Sequence, residues 1–356
     1  MKPSRVAWMK VLVILCIGSF MSMYSGRSLA VNCSTGSTTV AFGNVDVVPS
    51  STNYASTYSA TSANIPVTCG NSLFDLVGNY KVSVCVNISG GSLSSRQMSG
   101  TPSTNKLNYN LYADSAHTTI WGAYPGSPTA VAVPSNFAYT NIAIFGGSSG
   151  PNNVPVYGFL QASANSSAIA GAYTDASLTA TLSWNYTYSA IFSPGTPDSC
   201  TLGPSNSGFA GGSGSSSAFS LTATATVTND CAVSATTINF GGAVGVLTSP
   251  VTNTGTITAN CTNTATYTIA LDKGTSTSGS IADRRMQAAG GSQVHYELYT
   301  TSGYATIWGD GTGGSSTAGG TGAGSSQSYT VYGRIPAQTS PAPGSYSDTI
   351  TVTVTY

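Results

Sequence analysis

An internal repeat is the feature that most constrains how this chain of 356 residues can fold. Short landmarks occur twice in the same order. The second copy reads INFGG, NCTNTATYTIAL, RRM, VHYELYT, TIWGD, YTVYGRI and GSYSDTITVTVTY. The first copy reads VAFGN, VTCGNSLFDLVGNYKVSV, RQM, LNYNLYA, TIWGA, PVYGFL and GAYTDASLTATLSWNY. Landmarks this specific in a fixed order indicate a duplicated domain rather than shared composition.

Each copy is a series of short alternating segments separated by Gly, Asn, Pro and Ser, without strong helical periodicity. This pattern predicts an all-β protein with two immunoglobulin-like β-sandwich domains. We place the first domain at residues 31–192 and the second at 219–356. The stretch between them, 193–218, is rich in Gly, Ser and Pro, which is typical of a flexible linker.

The first 30 residues have the three parts of an export signal: a basic start, a short apolar core and a small-residue cleavage site ending at Ala30. The alternative, an uncleaved membrane anchor, is disfavoured because the apolar run is too short to span a bilayer. Removing the signal takes four of the 11 basic residues and none of the 11 acidic ones. The remaining acidic excess argues against nucleic acid as a partner.

Cysteine usage fits an exported chain, because six cysteines remain once Cys16 leaves with the signal. Sequence alone permits fifteen pairings of six cysteines. Matching positions in the two copies favour Cys33–Cys69 and Cys231–Cys261, which leaves Cys85–Cys200. No CxxC pair or Cys/His cluster is present, so we expect neither a metal nor a cofactor.

Catalytic constellations are also missing. The two histidines, His117 and His295, do not occupy matching positions, and neither belongs to a nucleophile motif. Four acidic residues stand alone beside Gly, Ser or Thr, as turn or strand-end residues do: Asp114, Asp175, Asp310 and Asp348. Of these, Asp175 and Asp348 fall at equivalent positions, which indicates a shared structural role. We therefore predict that the chain is not an enzyme.

The second copy resembles the spore coat protein U domain family through RRM, HYELY, IWGDGTG, YTVYGRIPA and GSYSDTITVTVTY. The resemblance covers nearly all of the mature chain and is less specific in the first copy. It implies a subunit of archaic, Csu-type chaperone–usher pili of Gram-negative bacteria, where two-domain members lie at the tip. It also implies export through the periplasm to the cell surface, a periplasmic chaperone, an outer-membrane usher, and a neighbouring pilin whose N-terminal strand completes an incomplete fold.

The last strand of each copy supports that implication from the residues themselves. The chain ends on YSDTITVTVTY, the counterpart of YTDASLTATLSWNY in the first copy, and neither copy contains a further strand. We expect the C-terminal domain to lack its closing strand and to need one from a partner. The predicted acceptor edge consists of Ile350, Val352, Val354 and Tyr356.

The segment 219–227, FSLTATATV, alternates strictly and has two interpretations. It is either the first strand of the second copy or a strand that folds back as the missing last strand of the first copy. The resemblance favours the second alternative, because shaft pilins of the family give the stretch before their first cysteine to a neighbour. Its apolar face consists of Phe219, Leu221, Ala223, Ala225 and Val227.

Three apolar insertions distinguish the first copy from the second and are candidates for a binding surface. In an immunoglobulin-like order they are the B–C, D–E and F–G connections, which lie at one end of a sandwich. The resemblance implies contact of such loops with abiotic surfaces during biofilm formation. A host surface is the alternative partner. The candidate residues are Leu73, Phe74, Leu76, Val77, Tyr124, Phe137, Tyr139, Ile142, Ile144, Phe145, Ile191 and Phe192.

Three alternatives to this interpretation of the loops and of the chain's function stay open. The stretch VPSNFAYTNIAIF is equally consistent with an extra hairpin packed on the sandwich. A glycan-binding tip would use Tyr124, Tyr139, Asn136 and Asn141, because aromatic rings beside amides suit sugars. A spore or cyst coat protein that assembles without an usher is the third alternative.

Overall fold

Strands account for nearly all regular structure in the computed structural model of the chain. The residues it describes are 31–60, 63–71, 77–89, 95–122, 130–131, 133–141, 147–197, 210–241 and 247–356. Within these ranges the helical structure is one short 3-10 turn, Ala162–Asn165. The described residues contain no helix that is long and apolar enough to cross a membrane.

The strands divide between an N-terminal and a C-terminal domain, and the all-β, two-domain prediction is confirmed. The N-terminal strands are β1 Val31–Thr35, β2 Thr38–Val45, β3 Thr57–Ser59, β4 Ala63–Asn71, β5 Gly78–Ser89, β6 Arg96–Ser99, β7 Lys106–Tyr112, β8 Ile120–Trp121, β9 Ala130–Val131, β10 Val133–Asn141, β11 Gly147–Ser148, β12 Asn152–Gln161, β13 Gly171–Ser189, β14 Ala210–Ser215 and β15 Phe219–Val227. The C-terminal strands are β16 Cys231–Ala235, β17 Val251–Cys261, β18 Thr266–Leu271, β19 Arg284–Gln287, β20 Gln293–Tyr299, β21 Ala318–Thr321, β22 Ser326–Ile335 and β23 Val352–Thr355.

The N-terminal domain is built around the long strand β13. One layer contains β1, β4, β12 and β7, and the other contains β10, β5, β13, β15 and β2; β6 pairs with both β7 and β13 and joins them. Alternation along the strands sends every second side chain inward, as in β12, where Val154, Val156 and Leu160 are buried. Both layers contribute to one apolar core.

Strand β15 lies inside the sheet of the N-terminal domain, between strands β13 and β2. It pairs antiparallel with β13, from Ala180↔Phe219 to Gly171↔Val227, and parallel with β2. This is the arrangement of the second alternative for residues 219–227. The N-terminal domain therefore extends to Val227, whereas the sequence analysis assigned this segment to the C-terminal domain.

Part of the expected linker also differs from the prediction, because β14 is a strand paired with β13 from Tyr188↔Ala210 to Ser183↔Ser215. Its Gly and Ser residues suggested flexibility, but the glycines have a packing role. A Cβ on Gly214 would come within 2.5 Å of Trp184, and one on Gly212 within 2.7 Å of Tyr186. Glycine lets this backbone lie flat against two large rings.

The C-terminal domain contains a five-stranded sheet, β16-β17-β22-β20-β19, and a three-stranded sheet, β21-β18-β23. Its core includes Tyr267, Ile269 and Leu271 of β18. Trp308 is fully buried and donates from Nε1 to the carbonyl of Ile269 at 3.0 Å. The same contact occurs in the N-terminal domain between Trp121 and Val86 (2.9 Å), so the repeat extends to single hydrogen bonds.

Disulfides Cys33–Cys69 and Cys231–Cys261 join the first strand of each domain to its neighbour at matching positions. Cys85 is also disulfide-bonded. Its expected partner, Cys200, lies outside the described residues.

Candidate functional site

The last strands of the two domains have the same sequence pattern but different surroundings. In the N-terminal domain β13 is paired with β5 on one side and with β14 and β15 on the other. In the C-terminal domain β23 is paired with β18, and the described residues provide no strand on its other side. The main-chain groups along that edge are therefore available to a further strand.

The inward residues of these two last strands also differ in how deeply they are buried. The inward residues of β13 are fully buried: Leu178, Ala180 and Leu182. Their counterparts Ile350, Val352 and Val354 are only half-buried, although they pack against the core. At the end of the strand, Trp184 is 6% exposed, whereas its counterpart Tyr356 is 51% exposed. The predicted acceptor residues thus form one row along a free edge.

The chain segment that corresponds to β2 also differs between the two domains. In the N-terminal domain β2 is held in the sheet by parallel pairing with β15, and its Val40 and Phe42 are buried. The corresponding C-terminal stretch, 236–241, is in no strand, and Ile238 and Phe240 are half-buried. By comparison with the N-terminal domain, the groove that a strand equivalent to β15 would fill lies between β23 and residues 236–241.

A carboxylate holds in place the chain that leads into β23. Asp348 accepts hydrogen bonds from the Tyr296 hydroxyl at 2.7 Å and from the Thr275 amide at 2.8 Å. In the N-terminal domain Asp175 accepts from Tyr109 at 2.7 Å, which is the shared structural role that the sequence indicated. Burial, together with the acidic partner, raises the pKa of both tyrosines far above its ordinary value, so each hydroxyl stays protonated and donates.

The end of β23 meets the junction between the domains at Asp230, which is buried. One oxygen, Oδ1, accepts from the Tyr356 hydroxyl at 3.0 Å, and the other, Oδ2, accepts from Asn53 Nδ2 of the N-terminal domain at 2.9 Å. Asp46 lies nearby, and burial raises its pKa, with the charge of Asp230 adding to that rise. Sequence reasoning did not single out Asn53, Asp46 or Asp230, because nothing local in the sequence brings them together.

The strand ends next to three candidate binding segments lie together at the opposite end of β13. Strand register places Asn141 of β10 opposite Gly78 of β5, and Ser189 of β13 opposite Asn79. These three strand ends therefore share one pole of the sheet. The three described side chains among the candidates are strongly exposed: Val77 by 52%, Ile191 by 78% and Phe192 by 71%.

Polar contacts fix this apolar pole, which we define as Val77, Ile191 and Phe192. Tyr188 donates its hydroxyl to the Val77 carbonyl at 2.8 Å, and Asn79 Nδ2 donates to the Phe192 carbonyl at 3.3 Å. The Tyr188 ring packs against Tyr80 at a centroid distance of 5.0 Å. These contacts tie the two apolar segments to each other and to the sheet beneath them.

The remaining candidates divide into two groups. Phe137 and Tyr139 lie in strand β10, paired with Val82 and Tyr80, and not in a loop as the binding-surface interpretation expected. Asn136 and Asn141 belong to the same strand, which extends the sheet along β5. The other candidates lie outside the described residues: Leu73, Phe74, Leu76, Tyr124, Ile142, Ile144 and Phe145.

A solved chaperone–adhesin complex shares this architecture. The chaperone–tip adhesion subunit pre-assembly complex CsuC–CsuE of archaic chaperone–usher Csu pili from Acinetobacter baumannii matches with a TM-score of 0.50 and 20% identity, over 91% of this chain and 100% of that chain. The CupB6 tip adhesin from Pseudomonas aeruginosa matches at 14% identity over 92% of this chain and 94% of that one. Its TM-score is 0.34.

At the sequence level, a search of curated proteins found no match. The model of the Spore Coat Protein U domain matches residues 22–181 and 217–353, one match for each copy of the repeat. The chain belongs to the Spore Coat Protein U domain family.

Proposed function

We propose that this chain is the tip adhesin of an archaic chaperone–usher pilus. In this proposal the C-terminal domain is incomplete and receives a strand along β23 from the next pilin, and the N-terminal domain meets the surface. A periplasmic chaperone protects the open edge before assembly, and an outer-membrane usher directs the exchange of partners. The complex of the similar CsuE subunit with its chaperone CsuC supports a chaperone as a partner.

One observation carries the proposal: the last strand of the first copy is paired on both sides, whereas that of the second copy is paired on one side among the described residues. Residues 219–227 close the N-terminal domain from within the chain, and the equivalent place beside β23 has no strand among the described residues. Strand addition would restore main-chain hydrogen bonds and cover Ile350, Val352 and Val354. Burying a large apolar side chain contributes about 1.5–3 kcal/mol, so a complete strand is comparable with the stability of a whole domain.

Extending the chain at its C-terminus tests this proposal. An Asn-Gly turn followed by GSSSAFSLTATATV (214–227) would fold back along β23 in the register that this segment adopts along β13. We expect the free energy of unfolding of the C-terminal domain to rise by about 5 kcal/mol, because several large apolar groups become buried. Urea denaturation followed by circular dichroism measures the change.

The matched control for this extension carries Ser in place of its Phe, Leu and Val residues and keeps its length. It should leave the stability of the C-terminal domain unchanged. If the apolar and Ser extensions stabilise the domain equally, or neither does, the open-edge proposal is wrong.

Adhesion itself is assigned to the apolar pole. Val77, Ile191 and Phe192 are exposed although polar contacts hold their backbones in place, so they present apolar surface without a need to fold first. Strand β15 runs from beside Ala180 to beside Gly171, where the C-terminal domain begins. The pole therefore lies at the far end of β13, which at 3.3 Å per residue spans about 60 Å.

Substituting Ile191 and Phe192 with Ser tests the adhesive role. We expect attachment of piliated cells to polystyrene to fall about tenfold or more with unchanged pilus assembly, because two large contact groups are lost. The control is Val233→Ser, which removes an exposed apolar group of the C-terminal domain. Undiminished attachment of the double variant would remove these residues from the site, and inhibition by free sugar would favour the glycan-binding alternative.

A further inference from the structure

The junction between the two domains contains a carboxylate that is bonded to both. Asp230 follows β15 and directly precedes β16, and its Oδ2 accepts from Asn53 of the N-terminal domain at 2.9 Å. Its Oδ1 accepts from the Tyr356 hydroxyl at 3.0 Å and from the Cys231 amide at 2.7 Å. The backbone of Asp230 is fixed to Thr262 in both directions, by bonds of 2.9 and 3.0 Å. These bonds connect the two domains through one buried side chain.

Tyr356 connects this carboxylate to the open edge. It follows β23 directly and is half exposed. Its counterpart Trp184 is buried because β14 lies opposite it, in the pair Trp184↔Gly214. A strand added along the whole of β23 would reach Tyr356 in the same way and cover its ring.

We propose that filling the groove beside β23 stiffens the joint between the domains through Tyr356, Asp230 and Asn53. The inference rests on the proposed strand addition to β23. Covering Tyr356 excludes water from its bond to Asp230 and restricts its rotamers, and hydrogen bonds to a charged group strengthen as water is excluded. A more firmly held Asp230 is in turn better ordered to receive the bond from Asn53, which then costs less side-chain entropy.

Coupling between two sites is reciprocal, which gives a sharp test. If an added strand strengthens the bond between Asn53 and Asp230, then removing that bond weakens the hold on the strand. Asn53 belongs to the N-terminal domain and is exposed, so Asn53→Ala leaves both the groove and the core intact. A change in strand binding caused by this variant would have to pass through the junction.

The experiment uses the full mature chain and a fluorescein-labelled peptide, GSSSAFSLTATATV, as the strand. We expect the peptide to dissociate about two- to tenfold faster from Asn53→Ala than from the unmodified chain. This range follows if part of the free energy of one hydrogen bond is coupled to strand binding. Tyr356→Phe should do the same, and the double variant should add little to either single change because the two act along one connection. Asn105→Ala, which removes an exposed amide bonded only to the Thr101 carbonyl of its own domain, should have no effect.

The outcomes separate this inference from the proposed function. A peptide that fails to bind the unmodified chain would contradict strand addition itself. Binding with identical dissociation from Asn53→Ala and the unmodified chain would overturn only the coupling. The junction also contains a second contact, from Asn263 Nδ2 to the Ser167 carbonyl at 2.8 Å. If Asn263→Ala speeds dissociation as much as Asn53→Ala does, the assignment to Asp230 is wrong.

Discussion

A buried arginine shows how far two copies of one domain can diverge at a single position. Arg284 is fully buried and is paired with Glu297, and it donates further to the carbonyls of Trp308 and Asp272. The equivalent Arg96 is equally buried, but its partner is the neutral Asn110, at 2.5 Å. Burial lowers the pKa of Arg96, and it raises the pKa of Glu297 despite the adjacent guanidinium.

This difference predicts unequal costs for the same substitution. Arg284→Met should lower the free energy of unfolding by about 3–5 kcal/mol, because it leaves the buried Glu297 without its counter-ion. Arg96→Met should cost less, about 1–3 kcal/mol, because it removes hydrogen bonds to neutral groups and leaves no buried charge without a counter-ion. Urea denaturation of the chain carrying the apolar extension measures both, because each domain then has its closing strand. Equal losses at the two positions would show that the charge of Glu297 has no special role.

At the scale of elements, a strand's position in the fold follows from which sheet its apolar face can enter. Leu221, Ala223, Ala225 and Val227 of β15 are all buried in the N-terminal core, while the intervening threonines lie on the outer face. The same alternation would fit a strand of the C-terminal domain, so periodicity left the choice open. What decides it is the gap between β13 and β2, which β15 fills.

Substitution of Leu221 tests this placement directly. Leu221→Ala should lower the stability of the N-terminal domain by about 2–5 kcal/mol and leave the C-terminal domain unaffected, because its side chain is fully buried in the first core. Thr226→Ala on the outer face of the same strand is the control and should change stability by less than about 0.5 kcal/mol. A loss of stability confined to the unfolding transition of the C-terminal domain would contradict the assignment of β15 to the N-terminal domain.

At the scale of the whole molecule, the chain is divided after Val227 into a domain whose last strand is paired on both sides and a domain whose last strand is paired on one side among the described residues. The apolar pole and the open edge of β23 lie at opposite ends of the connection through β13 and β15. In the proposed function, contact with a surface and attachment to a fibre are thereby separated in space. The single strand β15 both completes the first domain and leads into the second.

This division predicts how fragments behave. Residues 31–227 should form a monomer with one cooperative unfolding transition, because the fragment retains β14 and β15 along the whole of β13. Residues 31–209 should unfold at a clearly lower urea concentration or aggregate, because β13 then presents an unpaired edge. Size-exclusion chromatography and urea denaturation compare the two. Identical midpoints would show that residues 210–227 are dispensable for the first domain.

Much of this architecture could be predicted from residue patterns, with identifiable exceptions. Alternating apolar residues and turn residues predicted the strands, and matched cysteines predicted the two disulfides at equivalent positions. Residues 210–215 were interpreted as linker because glycine is usually a sign of flexibility, whereas Gly212 and Gly214 lie against aromatic rings. Phe137 and Tyr139 were interpreted as loop residues because the second copy has no apolar equivalent for comparison.

By itself, the sequence determined the repeat, the all-β class, the family and the equivalence of β13 and β23, because these depend on local periodicity and on landmarks that occur twice. Only the tertiary structure decided which domain takes β15, that Val77 meets Ile191 and Phe192 at one pole, and that Asp230 joins Asn53 to Tyr356. Each of these is a contact between residues far apart in the chain. Such contacts are selected by the shape of a gap in a sheet and by the burial of charge, and no local pattern specifies them.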